Sequence, residues 1–273
     1  MSKKEFCVLT GCDSGIGKEL AKLLASDGTT VLGGYLNFPE TNPLAGIIPC
    51  NLDLRSTDSI RQFAEKALQL SREHHLKSLI HCAGVAAISP AENITYEMFY
   101  DVFSVNLFGM AELNRLLIPV CMENRAGIYI TTSTAAKIAM PYFSLYSASK
   151  AAAESYAASL RRELSRFGVP VVIIAPRAVA TPIWNATWER AETLLSKIRD
   201  SYRKAIVSGA KRMIDSGNRG LKVEHAACQI LKILKKRRPA YRYIIAKNRM
   251  AVRMMQFVPE WLQDLILNRI FHL

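Results

Sequence analysis

The sequence of 273 residues has no apolar stretch of 18 residues, no C-x-x-C pair, no internal repeat and no low-complexity linker. Without an apolar stretch of that length, no helix is expected to span a membrane. The N-terminus enters a strand-like run at once, so we expect no signal peptide. Most of the six cysteines lie inside apolar runs, as free thiols in a reducing compartment do. We therefore expect one cytoplasmic domain covering residues 1–273.

Acidic residues are scarce, with 23 Asp and Glu against 36 Lys and Arg, which gives a net charge of +13. Solubility, nucleic-acid binding and attraction to an anionic membrane each explain such an excess. No nucleic-acid reader motif or aromatic-basic repeat is present, so we expect no nucleic-acid partner. Residues 235–273 carry nine Lys and Arg against two Asp and Glu, a net of +7, among large apolar side chains. This combination favours a membrane surface over a nucleic-acid groove.

An apolar and basic C-terminal extension, at about residues 247–273, has two explanations. Its large apolar side chains are too many for a free coil: Met250, Val252, Met254, Met255, Phe257, Trp261, Leu262, Leu265, Ile266, Ile270 and Phe271. They pack on the body or on a subunit partner, or they make a peripheral membrane contact with Lys and Arg nearby. The sequence leaves both alternatives open.

Short apolar runs alternate with amphipathic helical runs along most of the chain. The predicted helices cover residues 15–26, 57–73, 96–122, 146–167 and 223–236. The predicted strands cover residues 6–10, 30–35, 46–51, 77–83, 127–132, 170–175 and 241–246. Continuous apolar strands between helices predict a parallel sheet with helices on both faces, which is a single-domain, doubly wound α/β fold of the Rossmann type.

A glycine-rich turn, Thr10-Gly-Cys-Asp-Ser-Gly-Ile-Gly17, follows the first strand and opens the first helix. Glycines 11, 15 and 17 allow the backbone to turn tightly and to approach a pyrophosphate closely. The phosphates then meet the amides and the positive dipole end of the helix. In the first βα unit of an α/β chain, this turn predicts a dinucleotide site.

Tyr146 and Lys150 are four residues apart at the start of a predicted helix, so they share a helix face. An ammonium beside a phenol stabilises the phenolate and lowers a pKa that starts near 10. The tyrosine is then suited to act as an acid or a base near neutral pH. Taken alone, the pair is better explained as two side chains on a solvated helix.

Several motifs together resemble the short-chain dehydrogenase/reductase family over about residues 5–182. The glycine turn, Ala83-Gly84, Asn106, Ser133, Tyr146-x-x-x-Lys150 and Pro176 to Thr181 occur in the order and spacing of that family. The Thr-Gly-Cys-Asp-Ser-Gly sequence looks like the branch that contains retinol dehydrogenases, hydroxysteroid dehydrogenases and 3-hydroxybutyrate dehydrogenase. The resemblance implies an NAD(P)-dependent enzyme that interconverts an alcohol and its ketone or aldehyde.

The resemblance also implies four catalytic roles. Tyr146 is the general acid or base, and Ser133 hydrogen-bonds the same substrate oxygen. Lys150 lowers the tyrosine pKa and holds the nicotinamide ribose, and Asn106 orders a water that connects Lys150 to solvent. The alternatives are a strand-end hydroxyl for Ser133 and a helix-kink residue for Asn106.

The cofactor-binding residues that the resemblance implies come from six segments, and no metal is expected. Asp53 has a turn aspartate as its alternative. The full set is Gly11, Asp13, Ser14, Gly15, Ile16, Gly17, Tyr35, Leu36, Asp53, Leu54, Cys82, Ala83, Gly84, Tyr146, Lys150, Pro176, Arg177, Val179 and Thr181.

The chain departs from the family pattern at three places. His81-Cys82 stands where the family has two asparagines, and His81 is interpreted as a core histidine. Arg177 stands where the family has glycine, and its side chain either faces solvent or reaches a phosphate or an acidic substrate. Tyr35 and Leu36 replace the residues that distinguish NAD from NADP. Position 14 is not basic and Asp13 would repel a 2′-phosphate, so we expect NAD(H) in preference to NADP(H).

The segment at about residues 181–220 is expected to form a lid over the substrate. Apolar residues suited to line a pocket, or else to pack helices, are Trp184, Trp188, Leu194, Leu195 and Ile198. Basic residues on the same segment are Lys197, Arg199, Arg203, Lys204, Lys211 and Arg212. A hydrophobic substrate (steroid-, retinoid- or lipid-like) or a hydroxy acid fits this composition.

Two further expectations concern activity and assembly. The altered His81-Cys82 and Arg177 leave open a catalytically silent protein that binds the dinucleotide to sense redox state. Small residues on the Tyr146 helix permit close helix approach, and related enzymes often pair there, so we expect a homodimer or homotetramer.

Overall fold

A computed structural model describes residues 4–38 and 44–271. Seven parallel strands form one sheet in the order β3-β2-β1-β4-β5-β6-β9. They are β1 Glu5–Thr10, β2 Thr30–Tyr35, β3 Ile47–Asn51, β4 His75–His81, β5 Gly127–Thr131, β6 Val171–Pro176 and β9 Arg242–Ile245. Two short strands, β7 Val179–Ala180 and β8 Leu221–Lys222, pair beside this sheet.

Helices cover both faces of the sheet, which confirms the doubly wound α/β fold. On one face α2 (Thr57–Glu73), α4 (Gly109–Asn124) and α5 (Ser144–Leu164) pack in one hydrophobic cluster. On the other face α1 (Gly15–Ser26) and α9 (Val223–Leu234) pack in a second cluster. The strands between them are almost fully buried, as their continuous apolar runs predict.

The strand order reverses between β1 and β4, since β2 lies on one side of β1 and β4 on the other. At such a switch point the connections leave in opposite directions and open a crevice at the carboxyl ends of the strands. β4 ends at His81, earlier than the predicted residue 83. The reason is that the amides of Cys82 and Ala83 donate to Thr10 Oγ1, at 3.2 Å each, instead of extending the ladder.

One long helical run crosses the first face. It comprises α3 (Tyr96–Phe103), a π turn (Ser104–Phe108) and α4. By length and composition Tyr96–Asn124 is apolar enough to cross a membrane, unlike the expectation from the sequence, but half of its most apolar window is buried inside the protein. A core helix of an α/β domain has these same properties, so the run carries little weight as a membrane segment.

Residues 183–218 form three helices above the crevice. They are α6 (Ile183–Glu192), α7 (Asp200–Ala205) and α8 (Lys211–Asn218), with a π turn at Ile206–Ala210. A third hydrophobic cluster joins this segment to Phe143 and Tyr146. Beyond β9, α10 (Arg249–Met255) and α11 (Glu260–Phe271) bury one side of the C-terminal extension. The last two residues of the extension lie outside the described residues.

Candidate active site

Tyr146 and Lys150 lie on the first turns of α5, which places them beside the end of β5. Lys150 is 4% exposed, and its Nζ donates a hydrogen bond to the Thr131 carbonyl at 3.2 Å. The same Nζ lies 5.8 Å from the centroid of the Tyr146 ring. Phe143 packs edge-on against that ring, with centroids 6.5 Å apart. The phenol and the ammonium therefore share a largely apolar environment at the sheet edge.

Burial disfavours the charged form of both groups, so it raises the pKa of the phenol and lowers the pKa of the ammonium. The pKa of Tyr146 is raised above its ordinary value by loss of hydration, and a hydrogen bond with Ser133 opposes that shift. The pKa of Lys150 falls to about 8, mainly through burial, while Cys82 acts in the opposite direction. The expected lowering of the tyrosine pKa is not found, because desolvation outweighs the other contributions to the pKa of the phenol.

Ser133 connects the end of β5 to Tyr146. Its hydroxyl accepts a hydrogen bond from the Ala135 amide at 3.1 Å and so begins a short helical turn. The same hydroxyl is close enough to the Tyr146 phenol to act on its pKa, which it lowers. Ser133 is thus the strand-end hydroxyl of the alternative explanation and also a contact of the tyrosine.

Asn106 lies in the π turn and holds the segment after β4. Its Oδ1 accepts from the Val85 amide, and its Nδ2 donates to the Val85 carbonyl, both at 2.9 Å. Nδ2 also donates to Ser149 Oγ at 2.9 Å, and that hydroxyl donates to the Tyr146 carbonyl at 2.8 Å. The π turn places the amide where it ties this segment to α5, so Asn106 is both a helix irregularity and a member of the site.

Gly84 separates Asn106 from Lys150. A Cβ on Gly84 would lie 3.1 Å from Lys150 Nζ and 3.2 Å from Asn106 Oδ1. Only glycine leaves this gap open, since any side chain would contact both groups. The glycine of the Ala83-Gly84 motif therefore keeps a side chain out of the space between Asn106 and Lys150.

The glycine turn packs tightly against the residues that follow β4. Gly11 has φ +74°, and a Cβ there would lie 2.7 Å from the Ala83 Cα and N. Gly15 has φ +55°, and its Cβ position lies 3.1 Å from Thr181 Cγ2. These backbone conformations and contacts require glycine. They bring the turn, Ala83 and Thr181 to one end of the crevice.

The end of β2 is organised by Asp13. Its carboxylate accepts hydrogen bonds from the amides of Leu36 at 3.2 Å and Asn37 at 2.8 Å. The Tyr35 side chain is buried over Gly33, so it does not point into the crevice, whereas Leu36 is exposed. Burial raises the pKa of Tyr35 to about 12. The carboxylate of Asp13 thus stands beside the residues expected to meet the adenosine ribose.

Asp53 and Leu54 have local structural roles. Asp53 Oδ1 accepts from the Arg55 amide at 2.9 Å and forms an ion pair with Arg55 Nη1 at 3.5 Å. Leu54 is buried against Gly109 at the start of α4. This geometry agrees with the turn-aspartate explanation for Asp53.

The remaining predicted cofactor residues line the same end of the sheet. Ser14 and Ile16 belong to the glycine turn, Pro176 ends β6, and Val179 is buried in β7. The Arg177 side chain is exposed, and its amide donates to the Ile245 carbonyl at 3.0 Å. Cys82 Sγ lies 3.5 Å from Thr131 Oγ1, and burial raises the pKa of this thiol to about 11.

His81 is a core residue. It is buried at the end of β4, and its Nε2 lies 2.9 Å from Asn114 Oδ1 on α4. Burial lowers its pKa to about 4, so the ring is neutral at physiological pH. This geometry agrees with the interpretation of His81 as a core histidine, although only one of its two ring nitrogens, Nε2, has a hydrogen-bond partner among the described residues.

Three residues of the site were missed by sequence reasoning: Thr10, Thr131 and Ser149. Thr10 and Ser149 lie inside the motifs that predicted the site, but their partners are distant in sequence or are backbone groups. Thr131 acts through its carbonyl, which carries no sequence signal.

The chemistry of the crevice fits a dinucleotide. The N-terminus of α1, with its unpaired first amides, opens on the glycine turn, and no acidic residue lies in the first turn of that helix. No side chain at Gly84 stands between Asn106 and Lys150 on this side of the lysine. The glycine turn and the helix dipole thus suit the phosphates of a dinucleotide, and the lysine provides a cation at the far end of the crevice.

Comparisons with known proteins agree with the fold and the site. A model of the short chain dehydrogenase family matches residues 5–192. Retinol dehydrogenase 16 of Homo sapiens is 28% identical over 225 residues, which cover 77% of this chain and 70% of that protein. The 17-beta-hydroxysteroid dehydrogenase type 6 of Bos taurus is 30% identical over 200 residues, which cover 71% of this chain and 62% of that protein.

Two solved structures have the same fold. A short chain dehydrogenase/reductase from Burkholderia phymatum in complex with NAD has a TM-score of 0.80 at 22% identity, over 97% of this chain and 95% of that one. A short chain dehydrogenase from Burkholderia cenocepacia J2315 in complex with NADP has a TM-score of 0.73 at 21% identity, over 97% of this chain and 98% of that one.

A doubly wound sheet with a glycine turn at its switch point, and a tyrosine–lysine pair at the same edge, defines an oxidoreductase that uses a nicotinamide dinucleotide. The chain belongs to the short-chain dehydrogenase/reductase family, in the branch with retinol and hydroxysteroid dehydrogenases, and the predicted family is confirmed.

Proposed function

We propose that this protein interconverts a hydrophobic alcohol and its ketone or aldehyde, with Tyr146 as the group that transfers the proton. The observation that carries the proposal is the convergence of Ser133, Tyr146 and Lys150 at one sheet edge. The Ser133 hydroxyl acts on the pKa of the phenol, and the Lys150 ammonium lies 5.8 Å from the centroid of the ring. A substrate oxygen placed between the two hydroxyls meets two hydrogen-bonding groups.

The bound nicotinamide supplies or accepts the hydride. Tyr146 donates its proton to the carbonyl oxygen in reduction and takes one from the hydroxyl in oxidation. Ser133 hydrogen-bonds that oxygen and stabilises the charge that develops there. Lys150, held by the Thr131 carbonyl, supplies the positive charge beside the ring, and Asn106 fixes the segment that faces the lysine.

The lid composition supports a steroid-, retinoid- or lipid-like substrate, with a hydroxy acid as the second class. Trp188, Leu194 and Leu195 pack in the apolar cluster that includes Tyr146. Trp184 has a different role from pocket lining, since its Nε1 donates to the Val179 carbonyl at 2.7 Å and its ring covers Gly217. Ile198 is buried. The retinol and hydroxysteroid dehydrogenases among the relatives support the same substrate class.

NAD(H) is the proposed preference. The Asp13 carboxylate accepts from the two amides after β2 and therefore stays beside Leu36, where the resemblance to the family implies the adenosine ribose. A 2′-phosphate there would meet a like charge. Position 14 is serine and offers no compensating cation.

The decisive test is Tyr146→Phe in a panel of retinoid, steroid and short-chain alcohols and ketones with NAD(H) and NADP(H). We expect turnover to fall by about 10² to 10⁴-fold, since one proton-transfer group is lost, while cofactor affinity measured by calorimetry is nearly unchanged. Near-normal turnover in the variant would contradict the role of Tyr146. Cofactor binding by the unaltered protein without turnover on any substrate would support the redox sensor instead.

Assembly as a homodimer or homotetramer is proposed through the outer side of α5. Ala148, Ala151, Ser155 and Ser159 are exposed along one stripe of that helix. Light scattering that finds a monomer at micromolar concentration would contradict this assembly.

The free cysteines support a reducing, cytoplasmic location, and the C-terminal extension supports peripheral contact with a membrane.

A further inference from the structure

The face of α5 that carries Tyr146 and Lys150 carries a third polar side chain, Glu154. The three residues are spaced four apart and therefore lie on one side of the helix. Glu154 is 6% exposed. A carboxylate buried to this degree needs partners that offset its lost hydration. The proton transfer proposed above gives this residue no part, so its partners indicate what it does.

Side chains of this helix face hold the residues at the end of β5 one after another. The Thr131 carbonyl accepts from Lys150 Nζ at 3.2 Å. The Thr132 hydroxyl donates to Glu154 Oε1 at 3.0 Å, and the amide of the same threonine donates to β6 at 2.7 Å. Ser133 comes next in the chain, and its hydroxyl lowers the pKa of the phenol on the same helix face. Glu154 is therefore bonded to the residue directly before Ser133.

Glu154 also holds the far end of the short turn that Ser133 begins. That turn runs over Thr134–Ala136 and is followed by Lys137. Lys137 Nζ lies 3.8 Å from Glu154 Oε2. One carboxyl group thus holds the residue before Ser133 with one oxygen and the residue after the turn with the other. The position of the Ser133 hydroxyl relative to α5 is fixed from both sides by a single side chain.

Arg242 on β9 keeps the Glu154 carboxylate in place. Its Nε and Nη2 donate to Glu154 Oε1 at 3.2 Å and 3.1 Å. Its Nη1 donates to Gln256 Oε1 at 3.4 Å, which anchors the guanidinium to the residue that follows α10. The Arg242 side chain is 11% exposed. Because the pair is largely shielded from water, the carboxylate has one well-defined position, which an ion pair on the surface does not provide.

We propose that Glu154 is a positioning residue, which holds the Ser133 hydroxyl where it and the Tyr146 phenol bind the same substrate oxygen. This inference rests on the function proposed above, in which those two groups share that oxygen. A pair that served stability alone would need only Arg242. The contacts with Thr132 and Lys137, on both sides of Ser133, are what a positioning role requires in addition.

The first test is steady-state kinetics of Glu154→Gln, at a temperature where the variant is folded and with active protein counted by cofactor titration. Glutamine keeps an oxygen toward Thr132 and removes the negative charge that holds the two cations. We expect kcat to fall by about 10- to 100-fold, because a small displacement of a catalytic group has effects of this size. KM should change by less than about twofold, since the substrate pocket is untouched. The matched control, Glu163→Gln, makes the same change at an exposed position of the same helix and should keep its kcat.

A second variant covers a failure of Glu154→Gln to fold. Glu154→Leu with Arg242→Met removes both buried charges together, which such sites often tolerate. It also removes the contacts with Thr132 and Lys137, so kcat should fall as in Glu154→Gln. A kcat equal to that of the unaltered protein in either variant would overturn the proposal.

A double-mutant cycle with Ser133→Ala separates positioning from stability. If Glu154 acts through Ser133, then Glu154→Gln should lower kcat by less than about twofold once the serine hydroxyl is absent, because the group that it positions is gone. A loss of kcat of the same size with and without Ser133 would show a merely structural role and overturn the proposal.

Hydrogen exchange tests the same contact without turnover. The amides of residues 135–138 all donate hydrogen bonds within the Ser133 turn. In Glu154→Gln they should exchange about tenfold faster relative to the β5 amides of residues 127–130, and in Glu163→Gln they should not. Equal relative exchange in the two variants would overturn the positioning role. An unaltered protein without turnover on any substrate would contradict the proposed function instead, and exchange would still decide whether Glu154 holds the turn.

Discussion

Acidification should destabilise this protein through His81. The ring is 3% exposed, and its Nε2 shares a hydrogen bond with Asn114 Oδ1, so Nε2 carries the proton. Nδ1 is buried and has no hydrogen-bond partner among the described residues. Protonation of Nδ1 would place a cation in the core with no acceptor, which is why burial lowers the pKa from 6.5 to about 4.

The direction and the size of this loss of stability follow from proton linkage. The folded pKa lies below the unfolded one, so the unfolded chain binds the proton first as the pH falls. The contribution of His81 to the free energy of unfolding is complete above about pH 6.5 and is lost progressively down to about pH 4. A difference of 2.5 pKa units (6.5 minus 4), at about 1.4 kcal/mol per unit, corresponds to about 3 kcal/mol.

The assay is urea unfolding at several pH values between 7 and 4 for the unaltered protein and for His81→Gln. Glutamine is close in size, retains a donor toward Asn114 and does not titrate. We expect the free energy of unfolding of the unaltered protein to fall by about 3 kcal/mol more than that of His81→Gln across this range. His225→Gln, at an exposed position on α9, is the matched control and should behave like the unaltered protein. Parallel curves for the unaltered protein and His81→Gln would refute the reasoning.

Three further predictions concern the cofactor crevice and the sheet edge. Gly11→Ala should weaken cofactor binding in calorimetry by about tenfold or more, because φ +74° and the 2.7 Å approach to Ala83 exclude a side chain; unchanged affinity would contradict the placement of the turn. Asp13→Asn should raise the affinity for NADP(H) relative to NAD(H), since the negative charge beside the ribose is removed, and an unchanged ratio would count against the proposed preference. Glu154→Gln should lower the free energy of unfolding by about 3 kcal/mol in denaturant titrations, because the 3.1 Å pair with Arg242 is largely buried and the guanidinium would remain; a loss below about 1 kcal/mol would show that Arg242 finds another partner.

Much of the fold was predictable because its signals are local. The bounds of α1, β2 and α2 agree with the predicted ones, since a glycine turn, an apolar run and a helical period of apolar residues mark them. The end of β4 was predicted two residues too late. Cys82 and Ala83 continue the apolar run, and only the distant Thr10 hydroxyl draws their amides out of the ladder.

In the candidate site, too, some features were predictable from local sequence and others required the fold. The spacing of Tyr146 and Lys150 on one helix is local, and the structure keeps them adjacent. The direction of the tyrosine pKa was not predictable, because it depends on how much water the packed lid and α5 remove from the phenol. The link from Asn106 through Ser149 to the Tyr146 carbonyl also required the fold, since it joins a π turn to a helix.

The sequence by itself determined the doubly wound sheet and the glycine turn at its switch point, and it predicted the residues of the candidate catalytic group, because each is encoded by spacing within one or two elements. It also determined that the C-terminal extension is apolar and basic. Only the tertiary structure decided which side of that extension faces inward. Phe271 is buried because Gly209 leaves room for its ring, while Trp261 stays exposed because α11 has already used its other side against the lid.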